Sequence, residues 1–142
     1  MNEKNENVKP EDAAPEKEKA KSIMDPEEQI RQFARGKLEL YTPIQDGKDN
    51  TVKELHWDFM ALTGAEYVDA LDRDSRGGST FRITNTQALN LFAVAAAKAT
   101  GGIDATDIRQ RLSIIDTQKA TQLATVFFTA SNRVGNRRIS NE

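Results

Sequence analysis

The chain has 142 residues, no cysteine and a formal net charge of −2. The lack of cysteine excludes a disulfide framework and thiolate chemistry, and the balanced charge gives no basic field of the kind that attracts nucleic acid. No apolar run reaches the roughly 18 residues that a membrane helix needs, so we expect a soluble, cytosolic protein with no membrane contact.

The start of the chain predicts a disordered tail. Residues 1–22 are rich in Lys and Glu, and Val8 is their only branched aliphatic residue. Ordering costs roughly 1–2 kcal/mol per residue, which so little apolar surface cannot offset. We therefore predict a charged tail over 1–22, one folded domain over 23–135 and a flexible polar tail over 136–142.

A short helix and a β-hairpin should open the folded domain. Asp25 and Pro26 are typical of a helix start, and Gly36 is expected to end that helix. Two stretches of alternating apolar residues follow, separated by a polar turn over 45–50, and these predict two strands. Leu38, Leu40 and Ile44 alternate in the first strand, and Leu55, Trp57 and Phe59 of the second are expected to face the core.

Four further helices are predicted from their start signals. Residues 63–66 (TGAE) and 84–87 (TNTQ) match the capping-box pattern, and they predict a helix to about residue 73 and an Ala-rich helix ending at Gly101. Asp104 is expected to cap a short third helix. Ser113 or Asp116 is expected to cap the last helix, which should stop at Gly135.

The predicted fold class is mainly α, a small helical domain with one N-terminal β-hairpin. The segment 73–79, which contains Asp74, Gly77 and Gly78, is predicted to be a flexible linker. It superficially resembles a calcium-binding loop, but it lacks the closing Glu that makes such loops specific. His56 is the only histidine, and strand alternation places it on an exposed face without Cys partners. We predict no catalytic residue, no metal site and no cofactor.

The end of the last helix supplies the candidate partner-binding residues, which are Phe127, Phe128, Arg133, Arg137 and Arg138. Neighbouring helical residues project roughly 100° apart, so both rings are buried only if the helix has neighbours on two sides. Those neighbours belong either to this chain or to a partner. The arginines either complement the helix dipole or receive an acidic partner segment. We predict that one ring belongs to the fold and the other to an interface; otherwise the hairpin edge over 38–44 is the next candidate.

Three sequence features carry a resemblance to a known family. They are LYTPIQDGKDNTVKELHWDF, LTGAEYVDALD, and the Ala-rich helix, short helix and aromatic pair in ITNTQALNLFAVAAAKATGGIDATDIRQRLSIIDTQKATQLATVFF. In this order, over about residues 38–128, the chain resembles the tail assembly chaperones of long-tailed bacteriophages, in particular those of contractile-tailed phages and prophages.

The resemblance implies a non-enzymatic chaperone of the host bacterial cytoplasm. Such proteins bind the tape measure protein, a very long helical protein, during tail assembly and are absent from the mature virion. An extended, frameshifted form in the family also contacts the tail tube protein. Homo-oligomer formation is left open. Two alternatives remain: a DNA-binding or regulatory helical module, since residues 104–134 imitate a helix-turn-helix, and a minor structural virion protein.

Overall fold

A computed structural model of the chain describes residues 25–73 and 82–139, without the side chains of 138 and 139. The predicted tail over 1–22 and almost all of the predicted linker lie outside these residues, as do residues 140–142. Within the described ranges, no helix is both long enough and apolar enough to cross a bilayer.

Over residues 25–73 and 82–139 the architecture is mainly helical with one antiparallel hairpin, as predicted. The elements in chain order are α1 (Pro26–Phe33), β1 (Arg35–Gln45), β2 (Thr51–Asp58), a 3-10 turn (Phe59–Ala61), α2 (Gly64–Asp72), α3 (Asn85–Thr100), α4 (Ala105–Arg111) and α5 (Ile114–Ile139). The hairpin lies on α3 and also contacts α5, while α1 packs on α5 and α2 packs on α3.

Both predicted capping boxes are confirmed. Thr63 Oγ1 accepts a hydrogen bond from the Glu66 amide at 3.0 Å, and the Glu66 carboxylate accepts one from the Thr63 amide at 2.8 Å. Thr84 and Gln87 make the same reciprocal pair at the start of α3. Helix α3 ends at Gly101, whose φ of 76° is available to glycine at little cost.

The start of α5 settles which of its two candidate residues is the cap. Ser113 Oγ accepts a hydrogen bond from the Asp116 amide at 3.1 Å, so Ser113 caps the helix. The Asp116 carboxylate, which is almost fully buried, instead accepts hydrogen bonds from the backbone amides of Tyr41 at 2.7 Å and Thr42 at 3.1 Å. These two amides lie where the register of the hairpin shifts, between Glu39 and Ile44. Asp116 therefore fixes the irregular part of β1 to α5.

The core forms where the hairpin meets α3. Leu55, Trp57 and Phe59, the three residues predicted to face the core, are all buried, and Leu55 is completely so. The alternating residues of β1, Leu38, Leu40 and Ile44, are buried too. They meet the Ala-rich helix α3, in which Leu91, Phe92 and four alanines have no exposed surface, whereas Ala99 near its end is exposed. Small residues on this helix allow the neighbouring elements to approach closely.

The prediction that Gly36 ends the first helix is wrong. Helix α1 ends at Phe33, and Gly36 lies in β1 opposite Trp57. A Cβ atom at this position would lie 2.7 Å from Cη2 of the Trp57 ring. Glycine is thus required by the close approach of the indole and not by a helix terminus.

The prediction that α5 stops at Gly135 is also wrong, because the helix continues to Ile139. Residues 136–139 therefore belong to the helix and not to a polar tail. Glycine inside a helix costs only about 1 kcal/mol relative to alanine, which tertiary contacts can offset. Here α1 packs on α5, and Arg137 Nη2 lies 3.4 Å from the Asp25 carboxylate.

Candidate partner-binding groove

An open groove of about 440 Å³ lies between the end of α1, the hairpin and the N-terminal half of α5. We call it the α5 groove. Its lining residues are Phe33, Lys37, Leu38, Trp57, Lys119, Gln122, Leu123 and Val126. The lining is mostly apolar, and both of its charged residues are lysines. Such a groove suits an elongated apolar ligand better than a small polar one.

One wall of the groove is a single face of α5. Lys119, Gln122 and Val126 follow one another at spacings of three and four residues, which places them on one helical face. Ile115, four residues before Lys119, extends this face and is 43% exposed. From Ile115 to Val126 the face runs for about 16 Å, or three helical turns. Val126 on this face is only half-buried, so no other element of the described chain fully covers this part of α5.

The opposite wall is held in place by Trp57. Its indole Nε1 donates a hydrogen bond to the Phe33 carbonyl oxygen at 3.1 Å, which joins the hairpin to the end of α1. The ring centroid lies 5.9 Å from that of Phe92, with the planes tilted by 47°. This contact is a favourable aromatic geometry. This wall of the groove is therefore preformed by the fold.

The two lysines of the groove differ in whether their charge is already paired. Lys37 is half-exposed, and its Nζ lies 3.6 Å from a Glu54 carboxylate oxygen and 3.8 Å from one of Glu39. Lys119 is exposed and makes no ion pair with any side chain in the described part of the chain. One lysine is thus partly neutralised and the other is available to an anionic group.

Helix α1 covers the same face of α5 in the C-terminal half of that helix. Arg133 and Arg137 follow Val126 by seven and eleven residues, so they share its face. The Asp25–Arg137 pair marks one end of the contact between α1 and α5, and Phe33, which lines the groove beside Val126, marks the other. The α5 groove is therefore the uncovered continuation of the track that α1 occupies.

A second, smaller groove of about 310 Å³ lies on another side of α5, where the 3-10 turn and the start of α2 meet it. Phe127 lines it, and its ring stacks on Phe59 at a centroid distance of 4.8 Å. Tyr67 also lines it; burial raises the pKa of its hydroxyl, and a hydrogen bond with Ser131 acts in the opposite direction. Met60 stands at this groove with 58% of its surface exposed.

The structure does not bring the predicted binding residues together at one surface. Phe127 and Phe128 are each only 5% exposed, so both rings are buried by the chain itself. Arg133 is exposed and Arg137 lies beside Asp25, while the side chain of Arg138 is outside the described residues. A role for these five residues in partner binding stays a prediction.

His56 lies where strand alternation predicts. Its side chain is 51% exposed, and Nε2 lies 3.3 Å from a Glu54 carboxylate oxygen. Across the two described ranges, no group of three or more His, Asp or Glu side chains is placed to hold a metal ion.

None of the residues that line the α5 groove is among the five predicted partner-binding residues, and only Leu38 belongs to the hairpin edge over 38–44, the next predicted candidate. The spacing of Lys119, Gln122 and Val126 was a signal for one helical face, but the sequence alone does not show that this face is uncovered. No family model, curated protein or solved structure matches the chain. The α5 groove is therefore the feature from which a function can be inferred.

Proposed function

We propose that this protein is a phage tail assembly chaperone that binds a helical segment of the tape measure protein in the α5 groove. In this proposal it acts in the cytoplasm of the host bacterium, has no enzymatic activity and leaves before the virion is complete. The observation that carries the proposal is the groove itself, a mostly apolar channel that runs for about two helical turns along α5, from Lys119 to Val126. The sequence resemblance over residues 38–128 supports the choice of client.

An amphipathic helix is the ligand that such a groove suits. Helix-in-groove recognition places apolar side chains, spaced three and four residues apart, into a preformed apolar channel. A long helical protein with an exposed apolar stripe would otherwise associate with itself. Binding would complete the burial of Val126 and Leu123, which are half-buried in the free chain. The contacts between the groove and the client helix can break when tail tube subunits assemble around the client.

The start of α5 favours a protein partner over DNA. In a helix-turn-helix, the first turns of the second helix present polar side chains to base edges. Here the first turn of α5 exposes Ile114, at 78%, and Ile115 instead. An exposed aliphatic pair supports contact with another protein.

Co-expression with the neighbouring tape measure gene, followed by affinity purification of this chain, tests the proposal. Gln122 is exposed at the groove, so Gln122→Trp should fill the groove and reduce tape measure recovery at least several-fold. Thr125→Trp places the same ring on an exposed position of another face of α5, and recovery should be unchanged. Both variants should keep the wild-type melting temperature.

Two results would contradict the proposal. One is failure of the wild-type chain to recover the tape measure protein at all. The other is detection of the chain by mass spectrometry at stoichiometric levels in purified virions, which would identify it as a structural component.

A further inference from the structure

We infer that the α5 groove selects its helix by charge: it takes an amphipathic helix whose apolar stripe is flanked by Asp or Glu on the side that faces Lys119. The bound helix lies along α5 as a continuation of α1. This inference rests on the proposed function, because it specifies which kind of client segment the groove receives.

The chain already contains one example of this packing. Helix α1 has acidic residues in and before its first turn, with Ile30 and Phe33 as its apolar residues, and it packs on the C-terminal half of α5. Its acidic end meets a basic residue of α5 in the Asp25–Arg137 pair. An acidic, amphipathic helix is therefore what this face of α5 binds within the fold.

The uncovered part of the same face repeats these features. Val126 and Leu123 supply apolar surface, and Lys119 supplies the positive charge that Arg137 supplies under α1. Lys119 has no ion-pair partner among the described side chains, so an acidic group on the ligand would be its first. Electrostatic complementarity of this kind mainly determines which ligand is accepted and how fast it associates.

Only one wall of the groove carries a charge that is unpaired among the described side chains. Lys119 belongs to α5, whereas Lys37 belongs to β1 and its Nζ already lies 3.6 Å from Glu54 and 3.8 Å from Glu39. A helix lying between the walls presents one flank of its apolar stripe to Lys119, and acidic residues are therefore expected on that flank.

Binding of designed peptides to the full chain tests this inference. The probe is a fluorescein-labelled, Ala-based helix of about 18 residues, or 27 Å, with Leu at four stripe positions and Glu on both flanks. The matched control peptide carries Lys in place of each Glu. Fluorescence anisotropy at about 50 mM salt, where screening is weak, should show the Glu peptide binding at least several-fold more tightly.

Charge reversal on the protein supplies the second comparison. Lys119→Glu replaces an attraction with a repulsion at an exposed site, and it should weaken binding of the Glu peptide about three- to tenfold at low salt, less at high salt. Lys53→Glu, an exposed lysine of β2 outside the groove, should change binding less than about twofold for the same reason. The Lys peptide should bind Lys119→Glu more tightly than it binds the wild type.

Equal binding of the two peptides, or equal effects of Lys119→Glu and Lys53→Glu, would overturn the inference. A dimer of the chain that Gln122→Trp dissociates would identify a second copy as the occupant and would also overturn it. Tape measure recovery without peptide charge preference would leave the chaperone proposal standing and refute only charge selection. Charge-selective peptide binding without tape measure recovery would support the inference and refute the proposed client.

Discussion

Replacing Trp57 with alanine should remove much of the stability of this domain. The side chain is 7% exposed, lies against Phe92 and Gly36, and donates a hydrogen bond to the Phe33 carbonyl. Loss of a buried aromatic side chain typically costs about 3–5 kcal/mol, and an unpaired carbonyl adds about 1 kcal/mol. We expect a loss of about 4–6 kcal/mol, which is a large part of the roughly 5–15 kcal/mol that stabilises a typical domain.

Two neighbouring changes make the test specific. Trp57→Phe keeps most of the apolar volume but not the indole N–H, so about 1–3 kcal/mol should be lost. His56→Ala removes an exposed side chain from the adjacent position and should change stability by less than about 0.5 kcal/mol. Urea unfolding should be followed by circular dichroism, because Trp57 is the only tryptophan and its fluorescence is lost in Trp57→Ala and Trp57→Phe. Equal, small effects at positions 56 and 57 would refute the assigned strand faces.

Four further changes have defined expectations. Gly36→Ala forces a Cβ against the Trp57 ring and should cost about 1–3 kcal/mol in urea unfolding; a neutral effect would show that the ring can move. Asp116→Ala leaves two strand amides without their acceptor and should cost about 2–4 kcal/mol, with faster hydrogen exchange at those amides. Hydrogen bonds from two turn amides lower the pKa of Asp46 below its usual 3.8, so its stabilising effect is present above that pH and is lost as the pH falls through the lowered value. Melting temperatures of Asp46→Asn should therefore fall less steeply in acid than those of the wild type, and parallel curves would contradict this. Deleting Met1–Lys21 should leave the melting temperature within a few degrees, and a large fall would show that the segment contributes to the fold.

The local part of this fold was predictable because its signals are local. Each capping box involves residues three apart, and the hydrogen bonds that it predicts do not depend on the rest of the chain. The bounds of α3 followed from Thr84 at one end and Gly101 at the other. Strand alternation likewise placed Trp57 inside and His56 outside.

The two wrong boundaries share one cause. Gly36 and Gly135 were both interpreted as helix ends, although glycine has other uses that the surrounding structure decides. At Gly36 the use is space for an indole from another strand. At Gly135 the free-energy cost of glycine in the helix is small compared with the stabilisation that comes from α1 packing on the same helix.

The candidate site could not be predicted in the same way. The α5 groove combines the end of α1, both strands and the middle of α5, and its existence depends on where α1 ends. The Phe127–Phe128 pair gave the correct expectation of a helix with two neighbours. It gave no means to tell whether those neighbours belong to this chain, and the structure shows both rings buried within it.

The Asp116 carboxylate has a consequence for how the chain is made. It holds the amides of Tyr41 and Thr42 across 75 and 74 positions of sequence, and those contacts complete the first strand of the fold. During synthesis the hairpin leaves the ribosome long before residue 116 is available. Until then the amides of Tyr41 and Thr42 in β1 are hydrogen-bonded to water. Contacts between such distant residues form slowly because a long loop has to close first. The hairpin is thus synthesised early and is among the last parts of the fold to reach its final shape.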